Sequence, residues 1–293
     1  MSQPVELAAG VIHDIGYRHY DGPRLGRWQS VRAVYVHSLR GLFGLGRPAR
    51  SKVVPFLLLA ITGAPALVSG ALTAVAPIQP IAYTKYAYFL QIAIMVFLAA
   101  QAPQIVTGDI RFRTLSLYFS RPLERADYVW AKLAALASGM FILLAVPLLV
   151  IYLAVLVSHT HSLSDAAHET GRLLDGLTGA AVYAVVLAAL GMAISAFTRV
   201  RAFAIVGIIG VYLVTTSVTG IVAQVTRGTQ TAVLAELASP FPLLDGFQSW
   251  ALRVEPTLTP GPGDLGWAFG LATAAVLAAA IAIVHLRYRS LAQ

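Results

Sequence analysis

The sequence predicts an all-α integral membrane protein, with six transmembrane helices preceded by an N-terminal cytoplasmic amphipathic helix. Three observations lead there. Of the 293 residues, 58% are hydrophobic and 12% charged, against about 25% charged in soluble domains. With a mean hydropathy of +0.74, the chain has too few charges to cover a water-facing surface, and lipid becomes its second solvent. Six stretches also meet the requirement of about 20 mainly apolar residues, set by a rise of about 1.5 Å per residue across roughly 30 Å of hydrocarbon. Finally, the basic residues fall almost entirely on one side of the topology those stretches define.

Taken in order, residues 1–52 form a cytoplasmic N-terminal segment. Its many arginines and the lack of a continuous apolar run exclude a cleavable signal peptide. Within it, Val31, Val34, Tyr35, Leu39, Leu42 and Leu45 recur at spacings of three and four, with His37, Arg40 and Arg47 opposite; this is the pattern of an amphipathic helix over 31–47. Such a helix either anchors the chain along the headgroups or carries motion from a partner, and the two roles are compatible. The transmembrane domain covers 53–286. Its spans run approximately Val53 to Ala76, Thr84 to Val106, Ala131 to Val157, Leu173 to Phe197, Ala202 to Val225 and Leu265 to Leu286. Pro55 and Pro65 in the first span, Pro103 in the second and Pro147 in the third predict kinks. An outer loop spans 226–264, and 287–293 is a cytoplasmic tail.

Seventeen of the 21 lysines and arginines lie in 1–52, between Arg111 and Lys132, at Arg199 and Arg201, or at Arg287 and Arg289; the other side holds Lys85, Arg172, Arg227 and Arg253. The positive-inside rule therefore puts both termini in the cytoplasm. That distribution also accounts for the net charge of +8: the basic residues face anionic headgroups or a cytoplasmic partner, and no separate basic domain is left for nucleic acid. Cysteine is absent, which excludes disulfides, thiolate metal sites and cysteine nucleophiles. The preference for arginine over lysine and the abundance of alanine are those of a GC-rich bacterial genome, so the expected location is the bacterial cytoplasmic membrane.

Between the second and third spans, the loop 109–130 mixes charges with Leu115, Leu117, Tyr118, Phe119 and Leu123, more than a tether needs. A short helix is expected from Asp109, whose carboxylate can cap free N–H groups, then a break at Arg121-Pro122 and a helix from Leu123 running into the third span. Glu124 and Asp127 near that helix start suit its macrodipole. A solvated turn is one reading of the loop; a surface that docks in a groove of another protein is the other.

The stretch Thr114-Leu115, Pro122-Leu123, Glu124, Arg125, Asp127, Tyr128 and Lys132 resembles the loop after the second span of ABC-2 type exporter permeases, the group of NosY-like and NatB-like subunits. There Thr-Leu precedes a Pro with an apolar residue, then Arg, an acid, and Lys at the next span. Ser239-Pro240-Phe241 resembles the Ser-Pro-apolar stretch between the fifth and sixth spans of the same family. Asp109 stands where many members carry Glu, and the long Arg-rich N-terminal segment is a second departure. The resemblance implies an ABC-2 exporter fold in which Asp109, Arg111, Arg113, Thr114, Leu115, Arg121, Pro122, Leu123, Glu124, Arg125, Asp127, Tyr128 and Lys132 form a coupling helix against a P-loop ABC ATPase. This chain has no Gly-x-x-x-x-Gly-Lys-Ser/Thr loop. It is accordingly read as a transport subunit and not an enzyme, with no cofactor of its own, ATP and Mg belonging to the partner. A second permease chain, as homo- or heterodimer, completes the implied assembly.

Candidate polar positions inside the bilayer are Gln91, Gln101 and Gln104 in the second span and Tyr212, Thr215, Thr216 and Thr219 in the fifth. Helical spacing alone favours packing, since threonine bonds a carbonyl one turn back; the family resemblance favours a substrate path. The spans contain no clear buried ion pair. His159, His161 and His168 cluster with Asp165 and Glu169 in an outer loop, but their spacing matches no established metal site and a solvated polar loop explains them better; His13 with Asp14 reads as a surface pair. The function expected is the permease subunit of an ATP-driven exporter. The rivals are a membrane metal-dependent hydrolase using the outer histidines and a scaffold that recruits a cytoplasmic protein without transport.

Overall fold

The computed structural model describes residues 22, 26–75, 80–111, 123–159, 162–258 and 261–290. These form ten α-helices and no strand. They are α1 (Arg27–Leu42), α2 (Arg50–Val75), α3 (Tyr86–Phe89), α4 (Gln91–Arg111), α5 (Arg125–His159), α6 (Leu163–Ala196), α7 (Arg201–Val225), α8 (Gln230–Glu236), α9 (Pro240–Leu252) and, after a 3-10 turn at Gly263–Leu265, α10 (Gly266–Ser290). Six of them, α2, α4, α5, α6, α7 and α10, are long and apolar enough to cross a membrane.

α1 differs from expectation in position. It runs over 27–42 rather than 31–47, because Gly44 turns to φ +65°. The N–H of Leu45 then reaches the carbonyl of Arg40 at 2.9 Å and that of Gly44 reaches Gly41 at 3.1 Å, the paired closing bonds of a Schellman motif. Any Cβ at Gly44 would lie 2.6 Å from the carbonyl oxygen of Ser51, so the turn also brings α2 in too close for a side chain. The apolar face of α1 is covered by protein. Leu42 is fully buried, Val34 nearly so, and the Tyr35 hydroxyl meets Ser138 Oγ of α5 at 3.0 Å.

Length explains why α5 can accept α1. Its 35 residues rise about 52 Å, roughly 20 Å more than hydrocarbon requires, and its polar residues Arg125, Asp127 and Lys132 gather at its start. α6, with 34 residues, has the same surplus. Its polar turns are also at its start, so residues 163–172, expected in a loop, are helix. Ser162 caps them by accepting the Asp165 N–H at 3.2 Å. The second span starts later than expected, at Gln91, because the turn Tyr86–Phe89 separates from it at Leu90. Tyr86, buried there, donates its hydroxyl to the Thr62 carbonyl, one turn before the helix-breaking Pro65 of α2.

The ends of the helices are joined in two clusters. At the basic end, Arg201 donates to the Ala100 carbonyl at 3.1 Å. Arg287 donates to Ala196, the last residue of α6, at 3.2 Å, placing a cation where the helix dipole favours one. At the opposite end, α8 and α9 fold back over the bundle. Gln248 donates to the Thr84 carbonyl at 3.0 Å, and Asp245 accepts from the Thr257 N–H at 2.8 Å and its hydroxyl at 2.7 Å. Ser239 precedes α9 and Pro240 is its first residue, where the missing N–H costs nothing. Gly246 lets α9 lie on α10: an added Cβ would stand 2.3 Å from the buried Phe269 ring. Gly246→Ala is expected to cost about 1–3 kcal/mol by overpacking, read as a lower melting temperature in detergent. Gly63→Ala, with nothing within 4 Å of the new methyl, is expected to leave the melting temperature unchanged or raise it.

Candidate coupling site

The basic end of the bundle is built on two matched helical turns. Ile105 and Asp109 lie four residues apart on α4, and Tyr128 and Lys132 four apart on α5, so each pair occupies one face. Facing each other, they close a single network. Lys132 Nζ sits 2.7 Å from Asp109 Oδ2 and 3.3 Å from the Ile105 carbonyl, and 5.3 Å from the centre of the Tyr128 ring. The Tyr128 hydroxyl donates to the same Asp109 oxygen. The lysine side chain is 7% exposed. Tyr128 in turn stacks at 5.6 Å on Tyr288 near the end of α10, which brings the sixth span into the cluster.

This overturns two expectations. Asp109 does not begin a helix: it lies inside α4, which continues to Arg111, and its carboxylate meets Tyr128 and Lys132 of α5. A buried ion pair does exist at the span ends, invisible in the sequence because its members stand 23 residues apart.

A second clamp ties α1 to the start of α5. The Arg27 guanidinium spans two carboxylates, with Nε and Nη2 at 2.6 and 2.8 Å from Asp127 and Nη1 at 2.6 Å from Glu124. Asp127 also accepts the Glu124 N–H at 3.3 Å, closing the first turn of α5 as its position near the helix start suggested. Arg27 and Glu124 are at least half exposed, so water and salt screen this clamp far more than the Lys132 pair. Gln104 extends the connection by donating to the Gly41 carbonyl of α1 at 2.9 Å. Beside the clamp lies a cavity of 590 Å³ walled by Leu123, Glu124, Arg125, Val129, His285 and Arg289.

Of the coupling residues read from the sequence, Asp109, Glu124, Asp127, Tyr128 and Lys132 are thus brought together. Leu123 is buried and Arg125 exposed beside them. Arg111 ends α4, and its side chain lies outside the described residues, as do Arg113, Thr114, Leu115, Arg121 and Pro122. Arg27, Gln104 and Tyr288 are structural members that the motif did not include. Arg27 begins an amphipathic helix and could be flagged as basic, but its partners are about a hundred residues away.

The polar residues of the spans do not converge. Gln91 starts α4, and Gln101 is buried with its Oε1 unbonded among the described residues. Tyr212 and Thr215 line an apolar cavity of 210 Å³ with Leu98, Leu187 and Phe241, and Thr215 bonds back to the Val211 carbonyl at 2.8 Å. Thr216 and Thr219 face a different cavity and tie α7 to the outer cap, through Ser239 Oγ at 3.3 Å and the Ala235 carbonyl at 3.2 Å. On the outer side, Glu169 is committed to Tyr83 at 2.5 Å and Arg172 at 3.1 Å; burial, and then this carboxylate, push the Tyr83 phenol well above its usual range. His168 lies on α6, His161 lies outside the described residues with His13 and Asp14, and the His159 side chain is likewise undescribed. Among the described residues no three metal-ligating side chains gather.

Six helices long and apolar enough to span, short helices folded over one end of the bundle and tied ends on the basic side describe a multi-pass membrane protein. The family follows from comparison: the model described as ABC-2 family transporter protein matches residues 19–288, and the chain belongs to that family. It is therefore the membrane-spanning permease part of an ABC transporter, a family role that implies association with an ABC ATPase. Comparison with curated proteins finds no match.

Removing one member of the buried pair leaves the other charge stranded. Lys132→Met is expected to destabilise the protein by about 3 kcal/mol. The double variant Asp109→Asn with Lys132→Met is expected to regain part of that loss, as read by a double-mutant cycle of unfolding midpoints.

Proposed function

We propose that this chain is the permease subunit of an ATP-driven exporter, paired with a second permease chain and driven by a separate P-loop ATPase that docks on the loop 109–130. The observation that carries the reading is the double fastening of that loop. Its entry is tied through Asp109 to α5, and its exit is tied through Glu124 and Asp127 to α1. A displacement imposed on the loop is then transmitted to α1, α4, α5 and, through Tyr128 and Tyr288, α10, instead of being absorbed by slack.

The ATPase supplies the bias. Nucleotide bound to it favours one of two states of the whole complex, and the shift can be no larger than that difference in affinity. Docking needs apolar and basic surface together, and the loop composition with the adjoining cavity at Arg125 and Arg289 supports it. The exposed apolar faces of α2 and α7, including Phe56, Leu57, Phe203 and Val214, support burial against lipid and a second permease. The basic end faces the bacterial cytoplasm, with both termini.

Two measurements test this. Because the chain has no cysteine, Arg125→Cys can be probed alone: a membrane-impermeant maleimide is expected to label it only after cells are opened, and labelling of intact cells would refute the orientation. Arg125→Glu and Pro122→Gly are expected to reduce ATPase co-purification and transport at least about tenfold, equivalent to about 1.4 kcal/mol of docking, with the spans still inserted. Wild-type association and transport in both variants would refute the coupling role.

A further inference from the structure

Two carboxylates are buried in the outer cap, and they are treated differently. Asp245, 5% exposed, is saturated: it accepts two hydrogen bonds from Thr257 and one from the Leu258 N–H at 3.4 Å. Glu236, 7% exposed, has no hydrogen-bond or ion-pair partner among the described residues. It lines a cavity of 520 Å³ together with Tyr88, Thr216, Thr219, Gln224 and Arg227, a volume within the range of about 300–1,000 Å³ typical of small-molecule sites.

Its placement is fixed. Glu236 ends α8 between two positions fastened to α7, the Ala235 carbonyl held by Thr219 and Ser239 held by Thr216, so the backbone that carries the carboxylate is held at the cavity wall. A buried carboxylate without a partner is costly, and burial, reinforced by Asp245, pushes its pKa up to about 7. A cation in the cavity would satisfy it.

We propose that this outer cavity binds an organic ammonium group, with Glu236 as the countercharge. Tyr88 offers an aromatic wall suited to alkylammonium, and the hydroxyls of Thr216 and Thr219, already engaged with the cap, leave Glu236 as the strongest acceptor. The cavity is lined largely by carbon, which suits alkyl substituents better than a hydrated metal ion. Arg227, exposed at the cavity, accommodates an anionic group adjoining the ammonium, as in a zwitterion. The ammonium can come from a free organic cation or from a phosphatidylethanolamine headgroup of the outer leaflet. The site is independent of whether an ATPase docks at the other end.

The test uses the purified full-length chain in a non-ionic detergent at about pH 8, where the carboxyl is ionised. Tetraethylammonium chloride is titrated against sodium chloride of equal ionic strength while the melting temperature is followed. The wild type is expected to show a saturable rise specific to tetraethylammonium. Glu236→Gln is expected to weaken it at least about tenfold, and Glu255→Gln, at an exposed outer carboxylate, to leave it unchanged. No saturable response of the wild type, or an equal response of Glu236→Gln, overturns the proposal. If Glu236→Gln does not fold, Tyr88→Leu serves instead: a severalfold loss supports the site and wild-type affinity refutes it. Repeating the titration in phosphatidylglycerol nanodiscs with and without phosphatidylethanolamine separates the sources. Competition by phosphatidylethanolamine identifies the headgroup as the natural ammonium, and unchanged affinity identifies a free cation.

Discussion

The contact between Lys132 and Asp109 is the constraint on which the basic end depends. An ammonium almost withdrawn from water at the end of a span is tolerable only when all its protons find acceptors. Here a carboxylate, a backbone carbonyl and the face of an aromatic ring surround it. Each of those acceptors belongs to a turn that must stay where it is for the charge to remain satisfied. The pair therefore fixes the end of the second span against the start of the third, and the loop between them inherits two fixed ends. Arg27 adds to this from outside with screened, exposed contacts that are easier to break and remake. A coupling element benefits from that combination: one clamp that holds registry throughout and one that can yield.

The two ends of the bundle solve different problems. At the basic end, surplus helix length is spent on a polar extension of α5 that α1 follows and braces. At the other end, the chain turns back into short helices whose small residues allow close approach and whose polar atoms bond both to α7 and to the adjoining loop segments. Asp245, Gln248 and Thr219 serve there as fasteners of backbone, and Thr216 meets the Ser239 hydroxyl. Against that background Glu236 stands out as a buried carboxylate without a fastener among the described residues, where Asp245 is fully engaged.

Fold class was fully legible, because the bilayer imposes length and hydropathy on each span separately and no long-range information is needed to read them. The spans were found at nearly their true limits wherever the apolar stretch and the helix coincide, as in α7. They were misplaced where a helix outruns the hydrocarbon, as in the polar start of α6, because polar residues beyond an apolar run read as loop. The site was half legible. The family resemblance singled out Asp109, Tyr128 and Lys132, but nothing local reveals that Asp109 faces the other two across the bundle or that Arg27 reaches Asp127. Such pairings are set by packing between helices distant in sequence, which one sequence does not encode in any short window.

What α1 does follows from its two attachments. An interfacial anchor needs an apolar face open to lipid, yet Leu42 and Val34 are buried in protein and Tyr35 is bonded to Ser138. The other end of the helix is held at Arg27. Held at both ends against one partner helix, α1 braces the first part of α5, from Asp127 to Ser138. The glycine turn at Gly44 and Gly46 joins this splint to α2, and α2 itself packs along α5, with Gly70 against Ala154. A force applied at the loop would then reach the bilayer along α5 with α1 and the first span carried alongside it.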